Sequence, residues 1–148
     1  MGNRLHLYIY NKSKTQRSIV FKSKMSDHKT QVAQDRKAHE LQTQYNSYQE
    51  LLTELQTQLS TLTSQILEHT IVDKTLTEIP PEKRENRKCF KMVGGVLTEK
   101  SVDDVILMLD EEKKELAKSK EQVEKELVTT KKEMEQWMTK NKVKIMRQ

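Results

Sequence analysis

Cysteine, glycine, proline and aromatic residues are all scarce in this 148-residue chain: one Cys, three Gly, two Pro, and only 5% Phe, Trp and Tyr together. The single cysteine, Cys89, excludes an internal disulfide and any multi-cysteine zinc cluster, and it fits a reducing compartment. With 34% apolar residues there is too little material to fill a broad interior. No apolar run approaches the ~18 residues that span a bilayer. The stretch from Leu7 to Tyr10 is likewise too short for a secretory core of roughly 7–15 apolar residues. What the chain has instead is charge, at 33% of residues, with Glu, Lys, Leu, Thr and Gln dominating. That mixture makes long, solvent-washed helices with one narrow apolar seam, and such helices hold together only by pairing.

The formal net charge of +5 is unevenly spread. Residues 1–24 carry Arg4, Lys12, Lys14, Arg17, Lys22 and Lys24 and no acidic residue, so they contribute +6. The rest of the chain, with 21 basic and 22 acidic residues, is balanced at −1. A protein that grips a phosphate backbone needs a concentrated basic face on its body, and none is evident here. Residues 1–24 show no sustained periodicity and are expected to be a basic, unstructured extension ahead of Met25-Ser26-Asp27, which looks like a natural start. A basic leader without acids also resembles a transit peptide. A myristoylation reading of Met1-Gly2 fails because His6 stands where Ser or Thr is needed.

From about residue 30 a heptad emerges. Leu41, Tyr45, Tyr48, Leu52, Leu55, Leu59, Leu62 and Ile66 follow at alternating steps of four and three, with Tyr45, Leu52, Leu59 and Ile66 at a positions and the others at d. His69, Asp73 and Leu76 continue the seam until Pro80-Pro81 stops the helix. A second, more polar seam runs through Val102, Ile106, Leu109, Leu116, Val123, Leu127, Met134 and Trp137, with Lys113, Lys120 and Thr130 filling the remaining a and d positions. Ser101, followed three residues later by Asp104, resembles a capping box at its start. The helices are expected over about 30–79 and 101–145, each on the order of 45 residues or ~65–70 Å.

Between them, Lys88-Cys89-Phe90-Lys91-Met92-Val93 and Val96-Leu97-Thr98-Glu99 flank Gly94-Gly95. Strand formers around a Gly-Gly pair predict a β-hairpin over about 87–99 with a primed turn. The fold class that follows is mainly α: an antiparallel two-helix coiled-coil hairpin joined by a short β-hairpin. A lone two-stranded hairpin is marginal in water and leaves open edges, so its sheet needs completing, most simply by hairpins of sister subunits.

No catalytic constellation is present. His6, His28, His39 and His69 stand at no metal-ligand spacing with another His or Cys, and there is no phosphate-binding loop, dinucleotide fingerprint or nucleophile elbow. Neither catalysis, cofactor nor metal is expected. His69 faces the seam near Asp73 and reads as a register-setting polar residue rather than a pH switch. At the open end of the helical hairpin, Tyr45 and Tyr48 should lie near Met134, Trp137 and Met138, with Val143, Ile145 and Met146 beyond. Ordinary seam packing accounts for Leu41, Tyr45, Met134 and Trp137. Met138, Val143, Ile145 and Met146 are harder to seat there and are candidates for contact with another molecule.

The stretch Arg87-Lys88-Cys89-Phe90-Lys91-Met92-Val93-Gly94-Gly95-Val96-Leu97-Thr98-Glu99-Lys100-Ser101-Val102, followed by Asp104-Val105, resembles the β-class prefoldin subunits of eukaryotes, as do Glu68-His69 and Asn141 to Met146. Pro80 to Asn86 is a few residues longer than usual in that family, and Leu107 stands where a proline is common. The resemblance implies a subunit of a hetero-hexameric, ATP-independent cytoplasmic co-chaperone that holds non-native proteins such as actin and tubulin and passes them to the group II chaperonin. It further implies α- and β-class prefoldin partners, and neither nucleic acid nor membrane. Carried over by position, Cys89, Phe90, Met92, Val93, Gly94, Gly95, Val96 and Leu97 would assemble the hexamer. Tyr45, Tyr48, Met134, Trp137, Met138, Val143, Ile145 and Met146 would meet clients at the coiled-coil tips. The alternatives are a structural coiled-coil tether that holds no client, and nucleic-acid binding through residues 1–24.

Overall fold

A computed structural model of the chain describes residues 6–9 and 24–146. The elements in order are β1 (His6–Ile9), α1 (Lys24–Thr77), α2 (Pro81–Arg84), β2 (Lys88–Val93), β3 (Val96–Ser101), α3 (Val102–Asn141) and β4 (Val143–Met146). The fold is mainly α, with two long helices forming a coiled-coil hairpin and a two-stranded antiparallel hairpin between them in sequence. The chain divides into two compact units, residues 54–127 and residues 1–53 with 128–148.

The heptad is the organising pattern in both helices. Every a and d position assigned from Leu41 to Leu76 and from Val102 to Trp137 is buried or half-buried, while most intervening positions face water. α1 is rich in threonine, a poor helix former because its hydroxyl competes for backbone partners. Here the competition is turned inward: the hydroxyls of Thr43, Thr53, Thr61, Thr63, Thr70, Thr75 and Thr77 each donate to the carbonyl four residues earlier.

In the unit of residues 54–127, α1 ends at Thr77, before Pro80-Pro81. Pro81 takes the first position of α2, where its missing N–H costs nothing. This four-residue helix presents Arg84, whose guanidinium fork donates to the carbonyls of Ile79 (2.8 Å) and Thr77 (2.9 Å) and pairs with Asp103 in the first turn of α3 (3.1 Å). One rigid donor set thus satisfies carbonyls left free at the end of α1 and ties them to the start of α3. The segment that looked overlong in the sequence is the one that carries this arginine. At the α3 start, the Asp104 amide donates to the Ser101 hydroxyl at 3.2 Å. Along the seam, Asp73 and Lys113, two charged a positions from opposite helices, meet at 2.6 Å.

In the other unit, the seam is aromatic and sulfur-rich. Tyr48 and Trp137 pack with ring centroids 5.6 Å apart and planes tilted by 48°. Leu41, Tyr45, Thr130 and Met134 are buried around them. α3 ends at Asn141, short of the expected bound of about 145. Asn141 donates its side-chain amide to the Trp137 carbonyl (2.9 Å), and Lys142 adopts a left-handed conformation (φ 54°) that turns the chain out of the helix. Residues 143–146 are therefore a strand, not the last turn of a helix. β4 pairs antiparallel with β1, in the register His6↔Met146 through Ile9↔Val143. Four residues of the leader thus form a strand where an unstructured extension was expected; residues 1–5 and 10–23 lie outside the described residues.

Leu55, 3% exposed at a d position, and Leu67, 60% exposed outside the seam, provide a matched pair. Leu55→Ala is expected to destabilise by about 2–4 kcal/mol, through lost transfer energy and a cavity. Leu67→Ala should stay within about 0.5 kcal/mol of the parent in urea unfolding. At the polar layer, Asp73→Leu alone should destabilise by leaving Lys113 unpaired. Asp73→Leu with Lys113→Leu should match or exceed parental stability, because the pair then needs no desolvation.

Candidate functional site

The β2–β3 hairpin has its chemistry turned inside out. Gly94 (φ 57°) and Gly95 (φ 81°) supply the two positive angles of a type I′ turn. The register runs from Lys88↔Ser101 to Val93↔Val96. Alternation then sorts the side chains by face. Cys89, Lys91, Thr98 and Lys100 are half-buried on one face. On the other, Phe90, Met92 and Leu97 are 59%, 69% and 59% exposed; Val93 and Val96, on the first face, stand open where it reaches the turn. In a self-sufficient hairpin packed on helices the apolar face would point inward. Here the polar face does, and a contiguous apolar patch meets water, as expected of an interaction surface. The proposed assembly set therefore divides: Phe90, Met92 and Leu97 form the patch, Gly94 and Gly95 form the turn, and Val93 and Val96 lie exposed beside that turn on the face that also carries Cys89.

Salt bridges hold the polar face in place. Lys91 pairs with Glu112 of α3, and the other oxygen of that carboxylate lies 2.9 Å from His69 Nε2 of α1. His69 Nδ1 faces the Gln65 carbonyl at 2.7 Å, so both ring nitrogens have an oxygen within hydrogen-bond reach. Glu112 thus joins three elements, α1, β2 and α3. The Lys91 ammonium, and after it the His69 contact, hold the Glu112 carboxyl below its ordinary value of 4.5 against an opposing effect of burial. Across the hairpin, Lys88 and Glu99 pair at 2.9 Å, which raises the Lys88 pKa by hydrogen bonding and charge.

In the unit of residues 1–53 and 128–148, the structure separates the proposed contact residues. Tyr45, Met134 and Val143 are buried, which corrects their assignment as surface contacts. Tyr45 and Met134 are seam residues that share Gln49: its amide lies 3.3 Å from the Tyr45 hydroxyl and 3.7 Å from the Met134 sulfur. Burial raises the Tyr45 phenol pKa. Tyr48, Trp137 and Met138 are half-buried, and Ile145 is 38% exposed. Met146 belongs to β4, and its side chain lies outside the description.

Sequence reasoning missed three participants: Glu112, Arg84 and β1. Glu112 reads as one more exposed carboxylate beside a seam, and nothing local tells that Lys91 will reach it. Arg84 shows its role only once the proline-broken turn places it over Thr77. The signal for β1 was present, in the strand formers Leu7, Tyr8 and Ile9, but its pairing partner lies more than 130 residues away. Among the described residues, no three His, Cys, Asp or Glu side chains gather as a metal site, and no helix is long and apolar enough to cross a membrane.

Two paired heptad helices and a hairpin with its apolar face outward define a coiled-coil subunit built for assembly. The chain belongs to the prefoldin subunit family, whose profile matches residues 39–148. It is 36% identical over 106 residues to prefoldin subunit 2 of Saccharomyces cerevisiae, covering 72% of this chain and 92% of the yeast protein. It is 34% identical over 85 residues to prefoldin subunit 2 of Homo sapiens, covering 57% of this chain and about half (53%) of the human protein. Probable prefoldin subunit 2 of Schizosaccharomyces pombe is 39% identical over 69 residues, 47% of this chain and 57% of that protein. The family is one of chaperone subunits, not of enzymes.

The depressed Glu112 pKa sets the sign of a pH effect. A carboxylate whose folded pKa lies below its unfolded value adds stability that is complete above the unfolded value and is lost as pH falls through the folded one. The stability difference between the parent and Glu112→Gln should therefore be largest near neutrality and vanish in acid, as thermal melts across that range would show.

Proposed function

We propose that this chain is a β-class subunit of a prefoldin-type hetero-oligomer, acting in the cytoplasm as an ATP-independent holder of non-native proteins, and that its β2–β3 hairpin is the assembly element. The observation that carries the reading is the outward apolar face of that hairpin. Phe90, Met92 and Leu97 gain nothing from exposure, and a two-stranded ribbon with open edges is marginal alone. Pairing with hairpins of other prefoldin subunits, of the α and β classes, would bury the face and satisfy the edges together. Family membership supplies the partner class.

Client contact is assigned to Tyr48, Trp137, Met138 and Ile145, the tip residues that keep part of their surface in water. Several such weak apolar contacts, contributed by different subunits, give a grip that is strong in sum and individually releasable. Actin and tubulin chains, delivered onward to the group II chaperonin, are the expected cargo. Nothing in this scheme calls for nucleotide chemistry.

Two variants separate assembly from holding. Phe90→Asp with Val96→Asp, co-expressed with the partner subunits, should give no hexamer in native mass spectrometry, because charge in a closed apolar contact is costly. Removing residues 138–148 should leave the hexamer intact and weaken suppression of denatured-actin aggregation. Unchanged suppression by the truncated hexamer would instead favour a tether that holds no client.

A further inference from the structure

The β1–β4 ladder joins a segment that the seam does not need to the strand that follows α3. β4 is set apart by the left-handed Lys142, which stops the helix and turns the next four residues into an extended edge. The segment paired there is His-Leu-Tyr-Ile, rich in strand formers, with Leu5 and Tyr10 on either side in sequence. A backbone ladder reads extension rather than sequence, so an edge that accepts this segment can accept others like it.

Charge argues that the resident strand is a poor occupant. Lys140, Lys142 and Lys144 stand exposed around the start of β4, while the leader that supplies β1 carries +6 and no acid. β1 itself, His-Leu-Tyr-Ile, brings no carboxylate to these lysines. An extended apolar segment flanked by Asp or Glu would make the same backbone bonds and add attraction to them.

We propose that β4 is a strand-addition site for extended, apolar, acid-flanked polypeptide segments, and that His6–Ile9 is a built-in competitor that occupies it when no such segment is bound. The proposal rests on the client-holding reading for its biological meaning, though not for its chemistry. It gives a holder of unfolded chains a self-covering edge, since an open strand edge would otherwise invite aggregation.

The test uses the full chain with Cys89→Ser, Leu7→Cys and Ile145→Cys. Residues 7 and 145 are direct partners in the ladder, and opposed antiparallel residues lie within reach of a disulfide. The probe is a labelled hexapeptide of Leu, Val and Tyr with Asp at each end, and a control peptide with Lys at each end. Reduced protein should bind the Asp-ended peptide about tenfold more tightly than oxidised protein, as expected when the competitor otherwise fills the site most of the time. The Lys-ended peptide should bind more weakly, and added salt should narrow that difference. A second variant, lacking residues 1–10 and retaining Ile145, should bind the Asp-ended peptide more tightly than the parent. Equal binding by oxidised and reduced protein, no binding by the reduced form, or no gain on deletion would overturn the proposal. Aggregation assays on the assembled hexamer keep the two readings apart. Redox-dependent peptide binding with redox-independent actin protection supports the strand site and counts against client holding there. Protection that needs residues 138–148 without any peptide binding overturns the strand site and leaves client holding intact.

Discussion

Two polar helices are held by the one stripe they share, and everything else in this chain is arranged around that dependence. A third of the residues are charged and barely a third are apolar, so neither helix can bury a second face. Within residues 54–127, where apolar residues give way to Asp73 and Lys113, the two charges meet each other rather than the solvent. Polar seam positions of this kind cost stability and repay it in register, because a shifted helix would strand one of the charges. Register in turn fixes which side chains meet in that unit, including the placement of Glu112 beside His69.

The hairpin borrows its orientation from the same arrangement. Its own alternation would allow either face to lie inward. The Lys91–Glu112 pair selects the polar face, and Phe90, Met92 and Leu97 are left outward as a consequence. Assembly competence and seam register are therefore linked through one carboxylate. That carboxylate lies just before Lys113 in the chain, so a slip along α3 would disturb both together.

Much of this was legible before any coordinates. Strict heptads identify helices, their stripes and their partners because the 3.5-residue repeat constrains every seventh side chain alike. The Gly94-Gly95 turn was legible because few sequences other than glycine tolerate two successive positive φ angles. What periodicity could not carry was anything decided at a distance or by a single side chain. The end of α3 is fixed by Asn141 and Lys142, neither of which is a strong stop signal, so the helix was expected to continue to about residue 145. Periodicity seats Tyr45 and Met134 in the seam, while the family resemblance placed them among client contacts; their burial depends on how closely the two helices approach at that layer. β1 is a short apolar run of the kind that occurs by chance in many leaders, and only its pairing with β4 gives it a structure.

The glycines of the hairpin turn show a further consequence. A Cβ built on either Gly94 or Gly95 meets no atom within 4 Å. The site leaves volume free while its backbone angles disfavour an L side chain, and a mirror-image residue would adopt those angles without strain. The tip of the assembly element is thus the one place in the hairpin where chirality, rather than packing, guards the sequence. A D-residue introduced there by chemical synthesis would carry a reporter group to the edge of the apolar patch while leaving the strands their own register.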